Sequence, residues 1–364
     1  MSKVYFTDMS VSYPDSLPKK LRRLAEAAGL GQIDFDRKFV AIKIHFGEYG
    51  NLAYLRPQYA RAIADFVKEK GGIPFLTDCN TLYVGSRKHA LEHIETAYIN
   101  GYTPYATGCQ VIIADGIKGT DEALIPIDGE VVSEAKIGRA IADADIIISL
   151  NHFKGHEEAG FGGALKNLGM GSGSRAGKME MHSDGKPSVK TKKCRGCGMC
   201  TKICAHNAIH YEERKAFIDH ASCVGCGRCI GVCNFDAIVP VFDQSEEILN
   251  KKMAEYAYAV VKGKPNFHIS LAIDVSPRCD CGSSNDIPIV PNVGMFASFD
   301  PIALDVACAD AVNKQPVNPK SILFERAGYP DRFVGTHPTT NWRTCMEHGE
   351  TIGLGTMEYE LITL

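Results

Sequence analysis

Two cysteine runs of identical spacing constrain this 364-residue chain more than any other feature. Cys194, Cys197, Cys200 and Cys204 follow C-x-x-C-x-x-C-x-x-x-C, and Cys223, Cys226, Cys229 and Cys233 repeat the pattern at a constant offset of 29 residues. The repeat extends beyond the thiols. Gly196, Gly198, Ala208 and Ile209 recur as Gly225, Gly227, Ala237 and Ile238, as expected of a pseudo-symmetric unit burying two similar centres. Fourteen cysteines in a short exported chain would suggest disulfides, but this chain is long, and its start, Met1-Ser2-Lys3-Val4-Tyr5-Phe6-Thr7-Asp8, lacks the apolar stretch of a signal peptide. No apolar run approaches the roughly 18 residues that cross a bilayer. A cytoplasmic protein without a membrane span is expected, and in that setting clustered cysteines point to metal.

Four thiolates can hold one zinc ion or one 4Fe-4S cube. Zinc sites usually use two C-x-x-C pairs separated by a longer loop, whereas three cysteines in one turn favour the cube. In the bacterial two-cluster arrangement the fourth cysteine of each run crosses to the other cluster. The expected assignment is therefore Cys194, Cys197, Cys200 and Cys233 on one 4Fe-4S cluster and Cys223, Cys226, Cys229 and Cys204 on the other, with two zinc ions as the alternative. Ala205 and Asn234 stand where ferredoxin runs usually carry proline. From Lys186 to Pro240 nine Lys and Arg face four Asp and Glu, an excess that would favour the more negative, reduced state of a cluster.

Outside this stretch the chain alternates apolar runs with helical periodicity. Phe39 to Phe46, Ile73 to Asp78, Gln110 to Asp115, Asp145 to Phe153 and Phe267 to Asp274 read as strands. Arg56 to Lys70, Ser86 to Asn100, Gln244 to Lys262 and Pro301 to Asn313 read as helices. The pattern predicts an α/β fold, a mostly parallel sheet with flanking helices, interrupted by a small α+β two-cluster ferredoxin-like domain. The expected division is 1–185 for the first part of the α/β domain, 186–240 for the cysteine domain and 241–364 for the second part. A net charge of −3 gives no support to a nucleic-acid partner.

Parallel sheets bind ligands beyond the carboxyl ends of their strands. His45, Asp78, Asp115, Asn151, His152 and Asp274 stand at those ends. From Gly160 to Gly177 seven glycines occur, a density that reads as a loop whose amides approach an anion, with Lys154, Lys166, Arg175 and Lys178 supplying charge. Gly162, Gly163, Asn167 and Gly171, with His45, Asp78 and Arg175, are the expected anion-binding positions. His152, His156, Lys154 and Lys166 are the expected catalytic ones, since a histidine can gain or lose a proton near neutral pH. His152 and His156 are four apart, but Gly155 between them argues against a shared helical metal face. Cys279-Asp280-Cys281 is a further compact group, open to three readings: metal ligands, low-potential thiols or turn residues.

Ala41-Ile42-Lys43-Ile44-His45-Phe46-Gly47-Glu48, Phe75-Leu76-Thr77-Asp78, Ala114-Asp115-Gly116, His152-Phe153-Lys154-Gly155-His156, the stretch Gly162 to Gly171, the double cysteine unit, Cys279-Asp280-Cys281 and Asp300-Pro301 together resemble the iron-sulfur proteins of the domain of unknown function 362 family. The resemblance spans nearly the whole chain and implies an α/β body carrying a two-cluster ferredoxin insert; it implies no particular reaction. Three functions follow as expectations. The first is an oxidoreductase relaying single electrons through two 4Fe-4S clusters, from a redox partner protein or low-potential donor to a small anionic substrate at the strand ends. The second is an electron-transfer subunit that docks a redox partner. The third is a maturation factor handling metal or clusters through Cys279 and Cys281.

The crossed ligand assignment has a direct test. Cys204→Ala should damage the cluster held mainly by Cys223, Cys226 and Cys229, and electron paramagnetic resonance of the reduced protein reads which signal is lost. Loss of the Cys194 to Cys200 cluster alone would contradict the crossing.

Overall fold

The apolar runs become strands of one eight-stranded sheet: β1 (Ser2–Thr7), β2 (Phe39–Lys43), β3 (Ile73–Asp78), β4 (Gln110–Ile113), β5 (Ile146–His152), β6 (Asn266–Ala272), β7 (Gly294–Ser298) and β8 (Tyr359–Thr363). The computed structural model describes residues 1–182, 185–242 and 244–364. The strand order is β8-β1-β7-β6-β5-β2-β3-β4. Only β7 runs antiparallel to its neighbours, so the mixed α/β sheet is mostly parallel. β5 precedes the cysteine stretch and β6 follows it, yet the two pair side by side, Ser149 opposite His268.

Alternation sorts even the continuous apolar runs between two cores. Val40, Ile42, Ile146, Ile148 and Leu150 enter one, under the helices Leu17–Ala27, Pro57–Glu69 and Ala90–Ile99, while Ala41 and Ile147 enter the other, under Ala164–Ser172, Glu246–Val261 and Pro301–Asn313. Burial on both faces is why these strands are rich in Val and Ile. The polar side chains they do bury, Ser149, Asn151, His268 and Ser270, meet one another between β5 and β6, and Lys43 is a charged side chain with no exposure at the end of β2.

The cysteine stretch builds its own small core. Ser188–Val189 pairs with Ile238–Val239, Ile209–Glu212 pairs with Lys215–Ile218, and two short helices, Met199–Ile203 and Arg228–Gly231, carry the third cysteine of each run. The 29-residue repeat is also a conformational one. Gly198 and Gly227 both take positive φ before those helices, and Asn207 and Asp236, the same position in each half, both adopt the left-handed region. Cys194, Cys200, Cys229 and Cys233 pack with Ile209, Ile218, Ile230 and Ile238, and Leu82 and Met179 from the α/β body complete this core.

The glycine-rich stretch is not the expected loop. It forms two helices, Ala164–Ser172 and Arg175–His182. The amides at the start of the first helix receive no external anion, because the Asp305 carboxylate accepts from Ala164 N at 2.7 Å and Leu165 N at 2.9 Å. The glycines serve close packing instead. A Cβ on Gly169 would lie 2.2 Å from the Met253 carbonyl oxygen in the helix Glu246–Val261. Gly169→Ala should therefore lose stability by about 1–3 kcal/mol despite the better helix propensity of alanine. Urea unfolding measures it, and an unchanged midpoint would show that the two helices are not in rigid contact.

Candidate functional site

The carboxyl ends of β2, β3 and β5 open onto a cavity of about 310 Å³. Ten expected residues line it: His45, Asp78, His152, Lys154, His156, Gly162, Gly163, Lys166, Asn167 and Gly171. Arg175 is the exception. It is fully buried between the body and the cysteine stretch, its Nε donating to the Lys118 carbonyl at 3.1 Å and its guanidinium also to the Lys88 carbonyl, away from the cavity. Cys281 lines the cavity, and Cys279 lies buried behind it.

The strand ends are locked by polar contacts. Lys43 Nζ lies 2.9 Å from Asp78 Oδ1 and donates to Asn167 Oδ1 at 2.7 Å. Asn167 in turn donates to the Lys43 carbonyl at 3.0 Å and to Asn151 Oδ1 at 2.7 Å, fastening the helix Ala164–Ser172 across β2 and β5. Burial works against the Asp78 charge, but Lys43, His45, His93 and Lys178 together outweigh it and hold the carboxyl well below the usual carboxylate range.

A buried carboxylate organises the opposite wall. Asp280 reaches Lys154 Nζ at 3.0 Å and His152 Nδ1 at 3.1 Å, and His152 Nε2 meets the Ile273 carbonyl at 2.8 Å. Both ring nitrogens of His152 are thereby engaged, so it positions Asp280 and leaves no nitrogen for a ligand. Burial opposes the Lys154 charge, yet Asp280 and Cys279 outweigh it and hold the ammonium above its ordinary range. The short strand Lys154–His156 pairs with Gly160–Gly162, and this hairpin keeps His152 and His156 off any common helical face.

His156 faces the two thiols. Its Nδ1 accepts from the backbone N–H groups of Glu158 and Ala159, both at 3.1 Å. A neutral imidazole accepting at Nδ1 carries its proton on Nε2, so towards sulfur the ring donates. Lys166 Nζ stands 3.6 Å from Cys279 Sγ, and the Cys281 backbone N–H donates to the same sulfur at 3.4 Å. A hydrogen bond with Cys281 holds the Cys279 thiol well below its ordinary value, with Lys154 and Lys166 adding to it against burial; the same bond, with burial, pushes Cys281 up. Among the described residues, His156, Cys279 and Cys281 are the one set of three potential ligands whose donor atoms all lie within 4.8 Å of one another, making them the candidate single-ion site.

Sequence reasoning missed Arg87, Lys43 and Asp280 as site residues. Arg87 is fully buried, donating to Glu48 Oε2 at 3.0 Å, to the Cys281 carbonyl at 3.1 Å and to His45 Nε2 at 2.8 Å. Nothing in its local pattern marks it. Lys43 carried a signal, a charge between Ile42 and Ile44 in an otherwise apolar run.

The run cysteines gather elsewhere. A second, small cavity of about 20 Å³ has Cys204, Cys223, Cys226 and Cys229 in its wall. Burial pushes the Cys200 thiol up, and the neighbouring Cys233 adds to the effect. Backbone N–H groups of Ala216 and Ala237 donate to Cys194 Sγ at 3.4 Å and Cys233 Sγ at 3.3 Å. Leu82 belongs both to this core and to the wall of the large cavity.

The family described as "Domain of unknown function (DUF362)" matches residues 40–310. Over 158 residues the chain is 29% identical to a thylakoid-associated protein of Synechocystis sp., a match covering 42% of this chain and 45% of that protein, so it spans under half the relative's length. Two solved structures align with a TM-score of 0.40: the lactate racemase apoprotein of Thermoanaerobacterium thermosaccharolyticum, at 13% identity over 75% of this chain and 51% of that one, and a Thermotoga maritima protein, at 12% identity over 92% and 58%.

Burial keeps four histidines neutral. It pushes His45 down to about 4, His182 and His268 down to about 3, and His93 well below its ordinary value. The unfolded chain protonates them near about pH 6.5, so the folded state binds fewer protons below that pH. Their contribution to stability should be full above about pH 6.5 and fall as pH drops towards about 4. The fully buried His268 accounts for on the order of 2 kcal/mol at about pH 5. Urea unfolding at the two ends of this window checks it: His268→Gln should narrow the difference, and equal stability of the unaltered chain at both would refute the assignment.

Proposed function

The chain belongs to the DUF362 family, and we propose that it is an iron-sulfur oxidoreductase acting on a small anionic substrate in the strand-end cavity. The observation that carries this reading is a cleft lined by charged side chains and sharing Leu82 with the core of the cysteine stretch. Proximity of that kind serves electron delivery to a bound molecule, and a pure carrier has no use for the cavity.

Cys194, Cys197, Cys200 and Cys233 would hold one 4Fe-4S cluster, and Cys223, Cys226, Cys229 and Cys204 the other. Three observations support the fit. Cys204 shares a small cavity with Cys223, Cys226 and Cys229. Cys233, from the other run, lies near enough to Cys200 to add to the upward push on its thiol. Among the described residues no three run cysteines lie within 4.8 Å of one another, whereas tetrahedral zinc with Zn–S near about 2.3 Å would draw its sulfurs to roughly 3.8 Å apart. When bound, such clusters supply storage and transfer of single electrons.

The chain's own residues do the rest. Lys43, Arg87, Lys154, Lys166 and Lys178 face the cavity and favour an anion, and Leu82, Met170, Leu249 and Met253 line its apolar side and exclude water from part of it. Lys166, next to Cys279 Sγ, is placed to bind the anion or to hold a proton, and His156 can give up only its Nε2 proton. His152 and Asp280 fix Lys154 in place. Met199, Val224 and Phe235 are exposed around the runs, which suits contact with a redox partner protein and is the one feature favouring the docking reading. Among the described residues no helix is long and apolar enough to cross a membrane; a cytoplasmic location belongs to the same proposal.

Anaerobically prepared protein should contain about eight iron and about eight sulfide per chain, and about two zinc instead would overturn the assignment. Lys166→Ala should leave the iron content unchanged and weaken binding of a carboxylate or phosphate anion roughly ten- to a hundred-fold, about 1.5–3 kcal/mol for a charge-assisted contact. Unaltered anion binding would transfer the reading to the docking subunit.

A further inference from the structure

Cys279-Asp280-Cys281 sits where a ligand in the cavity would meet it, and its thiols have no part in holding the clusters. We infer that Cys279 and Cys281 are a redox-active pair that cycles between dithiol and disulfide, reacting with a disulfide in the cavity. The inference deepens the reading above by placing a two-electron group at the proposed site; it leans on that reading only for the source of electrons in turnover.

Geometry carries it. The two sulfurs lie within 4.8 Å of each other, Cys281 on the cavity wall and Cys279 buried behind it. That is the arrangement of an attacking thiol and a resolving one. The buried sulfur is surrounded by donors: the Cys281 backbone N–H at 3.4 Å, Lys166 Nζ at 3.6 Å and the adjacent imidazole. These stabilise a thiolate, the form that attacks sulfur. The alternative occupant of the same three side chains is a metal ion, and His156 argues against it. With Nδ1 accepting two backbone N–H groups, Nε2 carries the proton and has no lone pair to offer a metal. One intervening residue makes a small, strained disulfide ring, and strained disulfides are the oxidising, labile ones that suit turnover.

The chemistry balances. Cys281 passes its proton to the Cys279 thiolate and attacks one sulfur of the incoming disulfide, whose S–S bond breaks and releases the first thiolate. Cys279, returning its proton to that leaving group, then attacks Cys281. The Cys279–Cys281 bond forms and the second thiolate leaves. The two protein sulfurs lose two electrons, and the sulfurs of the oxidant gain them.

Glutathione buffers of graded ratio test this without reference to the clusters. The protein is equilibrated anaerobically, its thiols are alkylated, and the tryptic peptide Cys279–Lys314 is read by mass spectrometry, with fragmentation separating Cys308. The expected result is a reversible transition between two alkylated thiols and an unalkylated internal disulfide two mass units lighter than the free dithiol peptide. In Cys281→Ser the transition should vanish, leaving Cys279 alkylated or joined to glutathione; if that variant does not fold, the titration of the unaltered protein decides. Two alkylatable thiols across the whole range would overturn the inference. So would one equivalent of a divalent metal released only by denaturation and shielding both sulfurs. A reversible transition in a protein without iron would leave the pair standing and remove the oxidoreductase reading instead.

Discussion

A single carboxylate with no exposure, Asp280, holds the site together. An isolated buried charge is costly, and it is retained only where opposite charge and hydrogen-bond donors surround it. Here Lys154 and His152 do so, and His45 Nδ1 stands 3.7 Å away. These partners come from the ends of two neighbouring strands and the hairpin beyond one of them, while Asp280 itself lies in a loop more than a hundred residues later. The requirement to neutralise it draws the Cys279 to Cys281 loop against the strand ends, and the cavity is what remains between that loop and the helix Ala164–Ser172.

The same reasoning explains the concentration of cations. Lys43 with Asp78 and Arg87 with Glu48 are paired within the walls, which keeps the long side chains in fixed positions before any ligand arrives. Lys166 differs in having sulfur as its polar neighbour. The cavity therefore combines pre-arranged charge with one ammonium whose partner is itself chemically reactive, the kind of arrangement that electrostatic preorganisation requires.

Much of this was legible in the sequence, and the failures have physical causes. The cysteine repeat, the central strands and the polar residues at their ends could be read because period, spacing and position are local properties; β2, β3, β4, β5 and β6 fall where the apolar runs stand. β1, β7 and β8 went unread because their pairing is settled by distant chain. The glycine-rich helix misled because glycine signals both freedom and thinness. At Gly163, Gly169 and Gly171 what matters is the approach of Asp305, the Met253 carbonyl and Lys43, none of it visible in a window of sequence. Asp280 and Arg87 belong to the same class, since their partners lie far away along the chain.

Arg175, expected at the ligand site, has another consequence. Its guanidinium spans from the carbonyls of Lys88 and Lys118 in the body to the surface left bare by Gly227 and Gly231 in the cysteine stretch, where a Cβ would strike its side chain at 2.8 and 3.0 Å. It works as a dowel through a joint. Swinging the two parts apart would undo that close packing and break the contacts of Lys88 Nζ with the Cys233 carbonyl at 3.2 Å and with Asp236. These contacts hold the cysteine core and the cavity at one spacing, and under the function proposed above control over electron flow would lie in what enters the cavity and not in movement of the parts.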